Sequence, residues 1–164
     1  MVSPELLRRY PFFAGLNHDQ LRVLAMTADE MDAKAGHRFF VEGARVDAFY
    51  FVIEGDVGII FKVPASGVKQ SVARQLTGEL EMAEVIISHV GPGEQFGWSA
   101  LTGDGDATAD AVAQTDCKVV VFDLEQMLSK LDADPVLARM ILQQVLRTVR
   151  QRLTDLRVEC LSAR

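Results

Sequence analysis

The sequence predicts a mainly β domain: a double-stranded β-helix, or jelly-roll (β-roll), with N-terminal helices and a long C-terminal helix. Three observations predict it. Short stretches rich in Phe, Tyr, Val and Ile (residues 38–41, 48–54 and 57–62) are separated by Gly36, Gly43 and Gly55, with no helical crossover between them. That pattern belongs to antiparallel strands in a sandwich or barrel and excludes a parallel α/β sheet. Helical spacing is confined to the two ends. The chain has 164 residues, 49% of them hydrophobic, which suits one core.

Taken in order, Ser3 and Pro4 open a short helix, proline being tolerated at its first position. Asn17 followed by Gln20 is a capping box, and Leu21, Leu24 and Ala25 keep helical spacing behind it. The three glycine-spaced strands follow. Residues 63–81 have mixed polarity and read as a variable loop. Residues 84–90 form a strand, and Gly91-Pro92-Gly93 a tight turn. Residues 109–113 and 117–123 are expected as a last strand pair around a polar corner. From Leu124 the chain turns helical, and Asp134 before Pro135 marks the start of a helix running past residue 156. The expected organisation is a β-roll over residues 1–134 and a C-terminal helix over 135–164. No internal repeat is evident.

Composition narrows the function classes. No run approaches the roughly 18 to 20 apolar residues of a membrane span, and MVSPELLRRY lacks the apolar stretch of a signal peptide, so the expected location is the cytoplasm. Cys117 and Cys160 lack metal spacing and are expected as reduced, buried thiols. The formal charge is −6, yet from Pro135 onward six arginines face only Asp155 and Glu159, leaving that segment +4 and the rest −10. An acidic body argues against general nucleic-acid binding. The basic helix face either docks on its own acidic domain or meets an acidic partner.

No enzyme is expected. His18, His37 and His89 lie in different elements, without the paired histidines of a cupin-like metalloenzyme, which stays a lesser alternative. No nucleophile elbow and no phosphate-cradling G-x-x-x-x-G-K occurs. Asp104, Asp106, Thr108 and Asp110 alternate like the first ligands of a calcium loop. Ala109 and Thr115 then stand where glycine and glutamate are required, so a solvated acidic loop is expected and no metal.

The residues PFF-GL-HDQL near the start, Gly36, Phe39, Glu42-Gly43, YFVIEG at 50–55, GPGEQFGWSAL at 91–101 and the closing strand with its two helices resemble the cyclic-nucleotide-binding domain of the catabolite-activator type (Crp/Fnr-type). The resemblance covers nearly the whole chain. It implies a phosphate-binding cassette formed by Phe96, Gly97, Trp98, Ser99, Ala100, Leu101, Ala107, Thr108 and Ala109. A short helix there would offer backbone N–H groups to the anion, and Gly97 would permit close approach. Two family features are missing. Trp98 stands where a glutamate accepts from the ribose hydroxyl, and Ala107 where an arginine faces the phosphate. From Gln75 to Cys117 there is no Lys or Arg and there are eight acidic residues. Charge-assisted bonds of about 1.5–3 kcal/mol each are lost, which predicts cyclic-nucleotide affinity weakened by on the order of a thousandfold. Arg45 or Arg74 would have to swing in to replace the charge. Trp98 is expected either to fill the pocket or to stack on a ligand.

In the resembled family the terminal helix is the dimer interface. Here Leu142, Leu146, Val149, Leu153, Leu156 and Cys160 are spaced 4-3-4-3-4, an a/d seam. Arg152 then falls at g and Arg157 at e, facing each other across a parallel dimer; alternatively the seam packs on its own β-roll. Transcription factors of this type continue into a helix-turn-helix domain, and none follows Arg164, so no DNA binding by this chain is expected. The expectation is a regulatory or sensor domain, homodimeric, with a small-molecule ligand of unknown identity and at most weak cyclic-nucleotide binding. The alternative is a ligand-independent scaffold acting through the helix. A sensor predicts an open, partly apolar cavity at Gly97, Ser99 and Thr108; a scaffold predicts a cavity plugged by Trp98.

Overall fold

A computed structural model describes residues 1–64, 82–102 and 105–162, without the side chains of residues 159, 160 and 162. Helix α1 (Pro4–Arg8) starts at Ser3, whose Oγ accepts from the Glu5 N–H at 3.3 Å. Helix α2 (His18–Ala25) carries the full capping box: Asn17 Oδ1 accepts from the Gln20 N–H at 2.9 Å and Gln20 Oε1 from the Asn17 N–H at 3.1 Å. Eight strands follow: β1 (Ala28–Ala33), β2 (Arg38–Phe40), β3 (Ala48–Glu54), β4 (Val57–Pro64), β5 (Met82–Val90), β6 (Gln95–Phe96), β7 (Asp110–Ala113) and β8 (Cys117–Asp123). Helices α3 (Leu124–Ala133) and α4 (Pro135–Ser162) close the chain. The loop expected at 63–81 lies almost wholly outside the described residues.

The strands form two antiparallel sheets, ordered β1-β8-β3-β6 and β2-β7-β4-β5. This corrects the expectation that residues 109–113 and 117–123 pair with each other. β7 pairs β2 and β4, whereas β8 pairs β1 and β3. The corner between them carries the chain from one sheet to the other. Its groups are tied to the facing β3–β4 turn, the Gln114 N–H donating to the Asp56 carbonyl at 2.8 Å. A further strand, β1, went unpredicted. ADEMDA exposes most of its outer positions and buries only its two end alanines, so it shows little apolar alternation.

β3 explains why the central sheet reads as a continuous apolar run. Phe49 and Phe51 face a cluster under the helices with Leu21, Leu24, Phe122, Leu137 and Ile141. Ala48, Tyr50 and Val52 face the interior of the roll with Val57, Phe96 and Val119. A strand covered on both faces needs no polar alternation. Helix α4 is attached through its first half by Leu137, Ile141 and Val145, all buried. Asp134 anchors its start, Oδ1 accepting from the Val136 and Leu137 N–H groups at 3.0 Å each and Oδ2 from Gln20 Nε2 at 3.0 Å. Among the described residues, no helix is long and apolar enough to cross a membrane.

Candidate functional site

The site grows from Phe96. Its buried ring stacks on Tyr50 (centroids 4.8 Å apart, 10° between planes) and meets Phe39 edge-on at 5.0 Å. With β6 thus fixed, Gly97 redirects the chain at φ 77°, a left-handed conformation that favours glycine, into a 3₁₀ turn at Trp98–Leu101. A Cβ on Gly97 would sit 3.0 Å from both the Ala48 carbonyl oxygen and Tyr50 Cδ2. The glycine therefore answers to the strand behind it as well as to its own turn. Downstream, residues 105–107 are zipped to residues 43–46: the Val46 N–H donates to Gly105 O at 2.7 Å, Gly43 N–H to Ala107 O and Ala107 N–H to Ala44 O at 2.8 Å.

Between these segments lies a cavity of about 270 Å³. Phe96, Gly97, Trp98, Ser99, Thr108 and Ala109 line one side. Phe40, Ile59, Phe61, Ile87 and Ser88 supply the strand walls. The remaining side is helix α4, through Val149, Arg152, Leu153 and Leu156. Six of the nine cassette residues expected from the sequence thus meet at the cavity. Ala100 and Ala107 do not; both are buried against Val46. Leu101 packs against the helix-covered cluster instead. Trp98 does two things, lining the cavity and packing at the edge of that same cluster.

The cation at the cavity is neither of the two arginines, Arg45 and Arg74, expected to replace the missing charge. Arg45 is exposed, its backbone bridged to Asp106, and Arg74 lies outside the described residues. Arg152 enters from α4, its Nη2 donating to the Gln95 carbonyl at 2.6 Å. Among the described residues no carboxylate lies within 4.0 Å of it. Burial depresses the guanidinium pKa, with the Glu94 charge opposing. The signal was present: Val145, Val149, Arg152 and Leu156 step 4-3-4 along one helix stripe. The heptad spacing places Arg152 at g of the seam, and of the two surfaces expected for that seam, a second copy or the chain's own β-roll, its side chain reaches the β-roll.

The seam itself divides. Leu142 and Leu146 are exposed, Leu146 by 67%, beside a shallow groove. Val149 and Leu156 are half-buried at the cavity, and Leu153 lines it while remaining 48% exposed. The Cys160 side chain lies outside the described residues. Cys117 is a buried free thiol whose Sγ lies 3.3 Å from both the Asp56 and the Thr115 carbonyl oxygens, either of which can accept its one S–H.

The expected solvated acidic loop needs correction at Asp110. Its carboxylate is fully buried on the outer face of β7, under Arg38 and Lys62, and accepts from the Glu42 N–H at 2.6 Å. Burial pushes its pKa up, but the Glu42 N–H and the two cations outweigh this and hold it below the ordinary carboxylate value. Asp106 is exposed, and Asp104 lies outside the described residues. The histidines stay apart: His18 on Arg8, His37 on the Phe39 ring, His89 on Asp56 at 2.7 Å.

A β-roll with an apolar cavity beneath its terminal helix has the concave, mostly apolar form of a small-molecule pocket. The chain belongs to the cyclic nucleotide-binding domain family, whose pattern matches residues 30–134. The α4 wall of the cavity lies outside that match. Among curated relatives, the CRP-like cAMP-activated global transcriptional regulator of Mycobacterium tuberculosis is 24% identical over 147 residues, covering 90% of this chain and 58% of the regulator. The cGMP-dependent protein kinase egl-4 of Caenorhabditis briggsae is 30% identical over 120 residues, covering 73% of this chain and 14% of the kinase. A solved cyclic-nucleotide-binding-type protein of Geobacter metallireducens GS-15 superimposes with a TM-score of 0.73 at 26% identity, covering 93% of this chain and 99% of that one.

Proposed function

We propose that this chain is a non-enzymatic sensor domain in which a small molecule entering the cassette cavity changes how the last third of α4 is seated. One observation carries the reading: the cavity is closed on one side by the helix, and Arg152 reaches from that helix to the residue before Phe96. A ligand occupying this space must contact or displace the helix, so its binding energy shifts the balance between seated and released arrangements. Gly97, Ser99 and Thr108 line a cavity that the Trp98 side chain borders without filling, which supports a sensor over a plugged scaffold.

Cyclic AMP and cyclic GMP fit this cavity poorly. Ala107 replaces the family arginine and is walled in by Val46 and Ala100. Among the described residues no carboxylate lines the cavity to accept from a ribose hydroxyl. Isothermal titration calorimetry tests this directly. The expected result is no heat, or a millimolar Kd, with either nucleotide. A micromolar Kd overturns the reading, and would identify Arg152 as a substitute for the missing arginine.

The exposed Leu142 and Leu146 favour a second role for the same helix, as a homodimer contact on its outer face. Sedimentation equilibrium of the native chain and of L146D checks it: a dimer that becomes a monomer in the variant is expected, and a monomeric native chain sinks the idea.

A further inference from the structure

We propose that the cavity's ligand is an amphipathic monoanion: an apolar aliphatic or aromatic body bearing a single carboxylate-type head that pairs with Arg152. The inference rests on the sensor reading above and specifies its ligand class.

The lining chemistry decides the class. The walls are aromatic and aliphatic, from Phe40, Ile59, Phe61, Ile87 and Trp98 on the β-roll. Among the described residues, the polar side chains lining it are three hydroxyls, Ser88, Ser99 and Thr108, and one cation, Arg152. Among the described residues no Asp, Glu or Lys lines it, so the described lining carries one positive charge, on which Glu94 acts from outside the lining. A neutral apolar molecule would leave that guanidinium with the Gln95 carbonyl as its acceptor among the described residues. A polyanion would bring more charge than one guanidinium and three hydroxyls can satisfy. A molecule rich in hydroxyls or ring nitrogens would bury polar groups against Phe and Ile side chains. One anionic head on an apolar body satisfies both parts of the lining.

The geometry also gives the head its position. Arg152 extends from α4 between Val149 and Leu156, with Gln95 O as the acceptor of one nitrogen. A carboxylate entering beside Thr108 and Ser99 offers a charged acceptor in place of a neutral carbonyl, and guanidinium–carboxylate bonds are roughly twice as strong as neutral ones. Arg152 then exchanges one partner for a better one. Because Arg152 is part of α4, the exchange acts on the helix that the sensor reading invokes. The volume, about 270 Å³, lies just below the usual range for ligand pockets, about 300–1,000 Å³. It suits a medium-chain or single-ring acid.

Trp98 is the only tryptophan in the chain and lines the cavity, so its emission reports occupancy without a label. The test titrates the native chain with octanoate, 1-octanol, 3-phenylpropanoate and cyclic AMP, and repeats the series with R152Q and R152K. The expected result is that octanoate binds at least about tenfold more tightly than 1-octanol. That preference disappears in R152Q and survives in part in R152K, which retains the charge if not the fork. Equal affinity for acid and alcohol, no Trp98 response to either acid, or tighter binding of cyclic AMP than of octanoate overturns the proposal. Amide hydrogen exchange over residues 145–158 separates this from the sensor reading. Octanoate binding with the charge preference but with exchange unchanged upholds the ligand class and removes the coupling to α4. Failure of both acids while cyclic AMP alters exchange removes the ligand class and upholds the coupling.

Discussion

Arg152 on α4 and Gln95 on β6, 57 residues apart in sequence, are joined by a 2.6 Å hydrogen bond from guanidinium to main-chain carbonyl. Gln95 immediately precedes Phe96 and Gly97, so the bond ties the terminal helix to the point where the cassette turns. The partner is a neutral carbonyl. A partly buried cation compensated in this way gains less than it would from a carboxylate. The first half of α4 is held by Leu137, Ile141 and Val145, all buried, whereas beyond residue 150 the helix is mainly exposed. The seating of its last third is therefore the less stable part of the fold.

Replacing Arg152 with Ala removes both the bond and the packing of its stem, while relieving the buried charge. Global stability should change by no more than about 1 kcal/mol, since relief of the buried charge offsets the loss of the bond to a neutral carbonyl. Local protection should change more. Amide exchange over residues 149–158 is expected to accelerate severalfold while exchange in β3 and β8 stays constant. Unchanged exchange in the helix would mean that leucine contacts alone seat it.

Asp110 supplies a pH dependence. Its folded pKa is held below the unfolded value of about 3.9. The unfolded chain therefore binds the proton first. The carboxylate's contribution is complete above that value and is lost as pH falls through the depressed folded pKa. D110A should cost about 2 kcal/mol near neutral pH, the worth of hydrogen bonds to a charged group. Urea melts at pH 7 and pH 3 check both points: the variant should lose less stability between the two than the native chain does.

How much of this was legible in the sequence follows from which interactions are local. The Asn17–Gln20 box and the Asp134 cap involve groups within three residues, and both formed as their spacing predicts. The glycine-spaced strands were legible because turn chemistry is also local. The assignment of β7 and β8 to different sheets was not, because pairing partners lie up to about 95 residues away (Ala28 with Phe122) and no short pattern encodes them. Asp110 looked solvated because its neighbours are acidic; its partners Arg38 and Lys62 come from other strands. The place of Arg152 at the cavity was not legible for a related reason. A heptad pattern assigns faces relative to another helix, and here the nearest surface is the chain's own cavity.

Gly55 and Gly36 separate two effects of adding a methyl group. Both have positive φ, 93° and 86°. At Gly36 a Cβ meets nothing within 4 Å, so G36A carries only the backbone penalty, about 1–2 kcal/mol. At Gly55 it would meet the Asp116 carbonyl oxygen at 2.4 Å and Cys117 Cα at 2.8 Å, both backbone atoms of the corner leading from β7 to β8. G55A should cost at least about 2 kcal/mol more than G36A. Denaturant midpoints of the two variants measure the difference, and equal midpoints would show that the corner yields readily.

The Gln95 side chain offers the opposite case, a change expected to stabilise. Gln95 pairs with Phe51 across β3 and β6, and directly paired residues share a face, here the one covered by the helices. The residue is fully buried, and among the described residues none hydrogen-bonds its Oε1 or Nε2. Leaving such groups unpaired costs about 1–3 kcal/mol. Met has nearly the same length and fills irregular apolar space. Q95M keeps the main-chain carbonyl that Arg152 uses and removes the unpaired amide. It should raise stability by about 1 kcal/mol and slow amide exchange at the β6–α4 contact. If Q95M instead lowers the urea midpoint, the amide has a partner whose loss outweighs the apolar gain.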